Sequence, residues 1–157
     1  MPESPSYRLA NFSDLPDLTV LFDAYRQFYE CPPDLDAARA WLQTNLAESR
    51  SVILVADADG SGLLGFTQLY PALCSVDLVP YYVLYDLYVA EAARGRGVGR
   101  GLMQMAEQFA RTAGMARLDL ETANDNLTAQ NLYSNLGYSR DDVFFKYSLD
   151  LTHRDRH

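Results

Sequence analysis

The chain has 157 residues, of which 48% are hydrophobic and 22% are charged, and its formal net charge is −8. This length and composition predict one folded domain over residues 1–157 and exclude an intrinsically disordered chain. The acidic balance argues against a general nucleic-acid-binding protein. The N-terminus carries Glu3 and lacks an apolar core, so it is not expected to be a signal peptide. The longest uncharged run, 60–76, is interrupted by glycine, glutamine and proline, so we expect no membrane span and a soluble cytoplasmic protein.

The predicted elements follow from the spacing of apolar residues. In chain order they are strand 6–10, helix 14–30, a helix from Asp34 or Asp36 to about 48, strands 51–58, 63–73 and 79–90, helix 98–113, strand 116–122, helix 126–136 and strand 142–151. Strand 79–90 is apolar on both faces and should be central. Strand 116–122 should run parallel to it, because a helix connects the two. The order β-α-α-β-β-β-α-β-α-β predicts one mixed α/β sheet.

Histidine and cysteine are scarce. His153 and His157 both lie in the C-terminal tail, which is a poor place for a positioned imidazole. We therefore expect neither a nucleophilic triad nor a metal site. Cys31 and Cys74 lack CxxC spacing and are expected to be buried free thiols. The chemistry must come from carboxylates, tyrosines, backbone amides or a bound cofactor.

A glycine-rich turn joins strand 79–90 to helix 98–113. Glycine lets the backbone bend tightly and approach a ligand, and the start of the next helix offers free amide N–H groups. Together with three arginines, these groups favour a ligand that carries a pyrophosphate. A plain strand-to-helix turn is the alternative interpretation. The candidate ligand-binding residues are Arg94, Gly95, Arg96, Gly97, Val98, Gly99, Arg100 and Gly101.

The spacing of the glycines restricts the ligand. A dinucleotide-binding G-x-G-x-x-G motif fails because its third glycine would fall on Arg100 or Leu102. A P-loop fails because the only lysine of the chain is Lys146. The turn instead fits R-x-x-G-x-G. A nicotinamide-dinucleotide enzyme stays an alternative, because Glu121 ends the following strand where a ribose-binding acid would lie.

A second motif of the form N-x-x-A-x-x-x-Y-x-x-x-G-[FY] follows after one helix and one strand. Its residues are Asn126, Ala129, Tyr133, Gly137 and Tyr138. With the strand sequence DLYV and the R-x-x-G-x-G turn, this motif makes the chain resemble the GNAT superfamily of acyl-CoA-dependent N-acetyltransferases. The resemblance covers nearly the whole chain, and within the family the chain resembles polyamine, diamine and histone-type enzymes. It implies a GNAT-like fold with a splayed central mixed sheet and acetyl-CoA as the cofactor.

The resemblance also implies roles for individual residues. The end of the central strand would splay from strand 116–122 to admit the pantetheine arm, and the amide near Val89 would polarise the acetyl carbonyl. Asn126 would hydrogen-bond to the cofactor arm, with Ala129 on the same helix face. Tyr133 would be the general acid, and a phenol with a pKa of about 10 is protonated at neutral pH. The splaying residues are Leu87, Tyr88 and Val89.

The general base stays open at this point. Polyamine acetyltransferases carry an acidic pair before the aromatic residue, whereas this chain has Tyr85 followed by Asp86. Asp86, Glu121 acting through water, or a water chain alone are the candidates. Strand alternation predicts that Tyr85 and Asp86 lie on opposite faces of the sheet.

The acceptor is expected to bind at the first two helices and the hairpin. Tyr25 and Tyr29 share a helix face beside Arg26, and Tyr85 is a further candidate substrate-binding residue. Residues 1–90 contain four Arg and twelve Asp or Glu, which gives −8 and favours a cationic di- or polyamine or a lysine-like amine. Arg26 could instead clamp an amino-acid carboxylate.

The sequence therefore predicts direct transfer of an acetyl group from acetyl-CoA to a small primary amine in a ternary complex. A catalytically silent acyl-CoA-binding sensor is the alternative from a different class. Relatives commonly form homodimers, and no feature of the sequence decides the oligomeric state.

Overall fold

The structure, a computed structural model, describes residues 4–152. Its strands form one sheet in the order β1-β2-β3-β4-β5, in which only β4 and β5 run parallel. Two short 3-10 turns occupy Phe12–Asp14 and Glu91–Ala93. The helices and strands are β1 (Ser6–Leu9), α1 (Leu15–Phe28), α2 (Leu35–Glu48), β2 (Val52–Asp57), β3 (Leu63–Cys74), β4 (Val79–Val89), α3 (Val98–Thr112), β5 (Leu118–Leu120) and α4 (Leu127–Asn135).

The chain divides into two compact units at the boundary between Glu121 and Thr122. The first unit contains the five strands and α1 to α3, and the second contains α4. A single domain over residues 1–157 therefore stays a prediction. None of the helices within residues 4–152 is long and apolar enough to cross a membrane. His153 and His157 lie outside the described residues.

The sheet of the first unit is covered on both faces. Val55 packs with residues of α1 and α2, whereas the adjacent Ala56 packs with Val98 and Leu102 of α3. Successive side chains of a strand point to opposite faces, so α1 and α2 cover one face and α3 covers the other. We call these the α1/α2 face and the α3 face.

An ion-pair cluster attaches the start of α1 to the sheet. The guanidinium of Arg8 donates to both carboxylate oxygens of Asp14, at 2.7 and 2.8 Å, and to Oδ2 of Asp57 at 3.0 Å. The hydrogen bond from Arg8 holds the pKa of Asp14 below its usual range. Asp14 immediately precedes α1, so this cluster fixes where the helix crosses the α1/α2 face.

Three sequence predictions are wrong in detail. The strand predicted at 116–122 is limited to Leu118–Leu120, which are in register with Tyr82–Leu84 of β4, although Ala116 and Arg117 also form backbone hydrogen bonds with Pro80 and Tyr82. The strand predicted at 142–151 does not form among the described residues. An alternating apolar pattern fits the two faces of a strand, but a strand also needs an adjacent strand whose backbone it can hydrogen-bond to. Cys31 and Cys74 are free thiols, as expected, but they are half-buried rather than buried.

Candidate active site

The glycine-rich turn lies between β4 and α3. Gly95 and Gly97 take left-handed backbone conformations, with φ of +79° and +78°. Of the described atoms, none lies within 4 Å of a Cβ placed on either glycine, so the space beside the turn is open. Gly97 is the N-cap of α3 and has no side chain with which to cap the helix. The first amides of α3 are therefore available to an anion.

Two arginines of this turn contact backbone carbonyls. Nε of Arg94 donates to the carbonyl of Val89 at 3.0 Å, and its guanidinium lies 5.3 Å from the centre of the Tyr88 ring. A terminal nitrogen of Arg96 donates to the carbonyl of Ala92 at 3.0 Å. Both side chains remain exposed, so they close the turn against the end of β4 while adding positive charge beside it.

Gly101 faces β1, against which α3 packs, and not the open space beside the turn. A Cβ at this position would lie 2.1 Å from the ring of Tyr7 on β1. Such a contact would force the Tyr7 ring or the helix to move. The absence of a side chain at Gly101 therefore lets α3 approach β1, and its place among the cofactor-binding residues has no support from the geometry of the turn.

The end of β4 has an open edge. The pairing between β4 and β5 covers only Tyr82–Leu84 and Leu118–Leu120, and within the described residues no strand continues it beside Leu87 and Val89. The N–H of Ala90 donates to the carbonyl of Leu64 on β3 at 2.8 Å. Because backbone groups alternate along a strand, the N–H of Val89 points to the opposite, open edge.

A β-bulge in β4 changes the predicted alternation. Gln68 on β3 is opposite Asp86, and the next residue, Leu69, is opposite Leu84, so within the described ladder Tyr85 has no partner on β3. The Tyr85 ring lies 5.8 Å from that of Tyr70, whose hydroxyl accepts a hydrogen bond from Trp41 of α2 at 3.1 Å. Tyr85 and Asp86 therefore both face α1 and α2. The prediction of opposite faces is wrong because the bulge inserts one residue.

Asp86 is a buried carboxylate on the α1/α2 face. It is 4% exposed, and Nε2 of Gln68 donates to its Oδ2 at 2.7 Å. Burial raises the pKa of Asp86, and its interactions with Gln68 and with the hydroxyl of Tyr25 offset part of the rise. A carboxylate with a raised pKa is a better proton acceptor near neutral pH, which makes Asp86 a candidate base.

Tyrosine rings surround this carboxylate. The ring of Tyr25 lies 5.2 Å from that of Tyr29 and 6.2 Å from that of Tyr88. The hydroxyl of Tyr25 is also 3.3 Å from the carbonyl of Tyr85. Tyr29 is 55% exposed and Tyr85 is 69% exposed, so part of each ring faces solvent. We call this set the aromatic wall, and its members are Tyr25, Tyr29, Tyr70, Tyr85 and Tyr88.

Two further predicted site residues lie on α1 and directly after β5. Arg26 is half-buried on α1, next to Tyr25 in sequence. Glu121 is exposed and immediately follows β5. Gln68, which binds Asp86 directly, is a site residue that the sequence patterns did not indicate. The available signal was a polar residue within the apolar strand 63–73.

The second sequence motif lies in the second unit. Oδ1 of Asn126 accepts a hydrogen bond from the N–H of Ala129 at 3.2 Å, so Asn126 caps the N-terminus of α4. Tyr133 is half-buried on the same helix, and its ring lies 6.0 Å from that of Tyr138. Within α4, Asn126, Ala129 and Tyr133 are spaced to share one helix face.

Comparison with known proteins gives consistent matches. The profile described as Acetyltransferase (GNAT) family matches residues 16–138. An uncharacterized N-acetyltransferase of Bacillus subtilis (strain 168), YhfO, is 40% identical over 144 residues, which cover 92% of this chain and 96% of that protein. An L-methionine sulfoximine/L-methionine sulfone acetyltransferase of Pseudomonas aeruginosa is 27% identical over 140 residues, which cover 86% and 80%.

The solved structures agree. A crystal structure of a "probable acetyltransferase" superposes with a TM-score of 0.88 at 37% identity, covering 94% of this chain and 99% of that one. The fold and these matches define an acetyltransferase. The chain belongs to the GNAT acetyltransferase family. The nicotinamide-dinucleotide alternative has no support. It requires a mostly parallel sheet, whereas in the described residues β4 and β5 form the one parallel pair, and the chain belongs to a different family.

Proposed function

We propose that this acetyltransferase moves an acetyl group from acetyl-CoA to the primary amine of a small cationic molecule, by direct attack in a ternary complex. The candidate acceptors are a di- or polyamine or a lysine-like amine. The observation that carries the proposal is the buried Asp86 carboxylate within the aromatic wall, on the strand whose end has an open edge. The free thiols of Cys31 and Cys74 are consistent with a reducing, cytoplasmic location.

The residues of the first unit fit acetyl-CoA. When bound, this cofactor would supply the acetyl thioester. The uncapped amides at the start of α3 and the left-handed glycines at 95 and 97 would hold its pyrophosphate. The open edge at Leu87 and Val89 would pair with the pantetheine arm, and the outward N–H of Val89 would donate to the acetyl carbonyl.

The proposed proton transfers use two side chains. Asp86 accepts a proton from the acceptor ammonium, which leaves the amine neutral and nucleophilic. As the new C–N bond forms and the C–S bond breaks, the hydroxyl of Tyr133 gives its proton to the departing thiolate, and the second proton lost by the amine nitrogen passes through water to the Tyr133 phenolate, which restores the hydroxyl. The support for Tyr133 is the second sequence motif. Glu121 acting through water, or water alone, is the alternative to Asp86.

The choice of a cationic acceptor rests on two properties of the first unit. A carboxylate beside tyrosine faces attracts an ammonium group by charge and by cation–π contact. The net charge of −8 in residues 1–90 adds a long-range attraction for cations. Both properties disfavour a phosphorylated or carboxylate-rich acceptor.

An amino-acid acceptor is the second candidate. Arg26 is half-buried on α1, next to Tyr25 in sequence, and its guanidinium could pair with an α-carboxylate. The Pseudomonas aeruginosa relative is named for amino-acid-like substrates. Arg26→Gln separates the two acceptors, because it should lower turnover of methionine and leave turnover of spermidine unchanged.

Turnover of an amine panel tests the acceptor class. Free thiol release is measured with spermidine, a diamine, methionine and glutamate at low and high salt. We expect the highest kcat/KM for the di- or polyamine, and a fall of about tenfold as salt screens the attraction. Glutamate is the matched control, and its kcat/KM should rise or stay constant. A preference for glutamate, or no salt effect on spermidine, would contradict the electrostatic assignment.

Tyr133→Phe tests the proposed general acid. The substitution removes one hydroxyl and little volume, so folding and cofactor affinity should persist while kcat falls by roughly 10²-fold or more. Tyr81→Phe is the control, because Tyr81 stacks on Arg117 at 4.1 Å through its ring face and should keep normal turnover. Wild-type kcat in Tyr133→Phe at every pH would remove Tyr133 from the mechanism.

A further inference from the structure

A chain of hydrogen bonds connects the buried carboxylate of Asp86 with a guanidinium at the protein surface. Nε of Arg50 donates to Oδ1 of Asn45 at 2.9 Å. Nδ2 of Asn45 donates to Oε1 of Gln68 at 2.8 Å, and Nε2 of Gln68 donates to Asp86 at 2.7 Å. Asn45 and Gln68 are fully buried, whereas the side chain of Arg50 is 41% exposed.

The direction of this chain is fixed by chemistry. A guanidinium can only donate, so the amide of Asn45 must present its oxygen to Arg50 and its nitrogen to Gln68. The hydroxyl of Ser51 also donates to Oε1 of Gln68, at 2.6 Å. With two donors on its oxygen, Gln68 must present its nitrogen to Asp86. Each member therefore donates toward the carboxylate, and such chains polarise their members in the same direction.

Two tyrosines among the described residues interact electrostatically with Asp86. Tyr25 approaches it from α1, and burial together with the nearby Asp86 charge raises the pKa of Tyr25. Tyr70 faces it from β3, and burial likewise raises the pKa of Tyr70. Both phenols stay protonated at neutral pH. Arg50 is therefore the cation that the described hydrogen bonds connect to Asp86.

We propose that Gln68 is a positioning residue, which holds the Asp86 carboxylate in one orientation and in its ionised form, ready to accept the proton of the acceptor ammonium. This inference rests on the proposed role of Asp86 as the base. Arg50 supports the same orientation and ionised form of Asp86 from the other end of the hydrogen-bond chain, through Asn45. Removal of either donor makes the ionised carboxylate harder to maintain, so the proton affinity of Asp86 should rise.

Gln68→Met tests the proposal, because methionine keeps the length of the side chain and removes the amide. The pKa of Asp86 is read from the carboxyl carbon signal of the labelled aspartate by NMR titration, and the signal is assigned by its loss in Asp86→Asn. We expect an upward shift of about one unit, since a hydrogen bond to a charged group is lost. The acid limb of kcat/KM should move upward by the same amount, with activity recovering at high pH.

Two further variants complete the test. Arg50→Met changes an exposed position, so it should fold and raise the pKa of Asp86 by a smaller amount than Gln68→Met does. Thr67→Val is the matched control, because Thr67 is also fully buried and its hydroxyl donates to the backbone carbonyl of Asp86 at 2.7 Å rather than to the carboxylate. It should leave the pKa of Asp86 unchanged.

The outcomes separate this inference from the proposed function. An unchanged pKa of Asp86 in both Gln68→Met and Arg50→Met overturns the role of the hydrogen-bond chain. A shifted pKa with an unchanged acid limb overturns the role of Gln68 in the reaction. If the wild-type protein acetylates no amine, the proposed function fails, and the NMR titration still decides whether Gln68 controls Asp86.

Discussion

Gly97→Asp is expected to abolish acetyl-CoA binding. Gly97 is the N-cap of α3, so a carboxylate there would occupy the first amides of the helix and repel a pyrophosphate. A hydrogen bond to a charged group contributes about 1.5–3 kcal/mol, so the loss of two would weaken binding by roughly 10²–10⁴-fold. Titration calorimetry with acetyl-CoA measures this loss directly. The left-handed backbone at Gly97 strains any side chain there, so circular dichroism is used to verify that the variant is folded.

Gly114→Asp provides the matched control for this variant. Gly114 follows the opposite end of α3, has a φ of +76°, and has no described atom within 4 Å of the position that a Cβ would occupy. Its substitution adds the same charge and a similar backbone strain to those at Gly97, where φ is +78°. We expect unchanged affinity for acetyl-CoA. Normal affinity in Gly97→Asp as well would move the pyrophosphate away from this turn.

Local signals in the sequence were sufficient for most of the secondary structure. The helix predicted at 98–113 is found at Val98–Thr112, because glycines mark both ends and apolar residues recur at helical spacing. The hairpin of β2 and β3 also forms as expected, since its turn and its alternating strands are close in sequence. The family resemblance rested on two such local motifs, and the comparisons confirm it.

Structural features that depend on residues far apart in the chain could not be predicted from local sequence patterns. The bulge at Tyr85 arises from the register between β3 and β4, and no local pattern in β4 indicates it. The hydrogen bonds of Gln68 connect β3 with α2 and β4, so their partners become visible only in the fold. The short pairing of β5 has the same origin, because its extent depends on the neighbouring backbone of β4.

The glycine-rich turn shows a different limit. Its residue types indicate phosphate binding, but they do not separate ligand contacts from packing. Gly101 permits the approach of α3 to Tyr7, and Arg94 donates to the carbonyl of Val89. These two packing residues lie in the same eight-residue segment as Gly95 and Gly97, beside which the space is open. The distances identify these packing contacts, and the ligand contacts of the turn stay a prediction.

Asp86→Asn is expected to lower kcat by roughly 10²–10⁴-fold, the usual contribution of general acid–base catalysis. An amide cannot accept the proton of the acceptor ammonium at neutral pH. Its oxygen can still accept the hydrogen bond from Gln68, so the site should keep its shape. Because burial raises the pKa of Asp86 in the folded protein, ionisation of this group lowers stability as pH rises. The neutral amide avoids that cost, so the loss of activity should occur without loss of folding.

The pH profile distinguishes a catalytic from a structural effect of this substitution. Wild-type kcat/KM should fall as pH decreases through the raised pKa of Asp86, because protonation removes the base. In Asp86→Asn that limb should disappear. Asp23→Asn is the structural control, since Asp23 is also 4% exposed and accepts hydrogen bonds from Gln27 and the amide of Asp34. Glu121→Gln tests the competing base. A larger loss of kcat in Glu121→Gln than in Asp86→Asn, measured with spermidine across the same pH range, would transfer the role of base to Glu121.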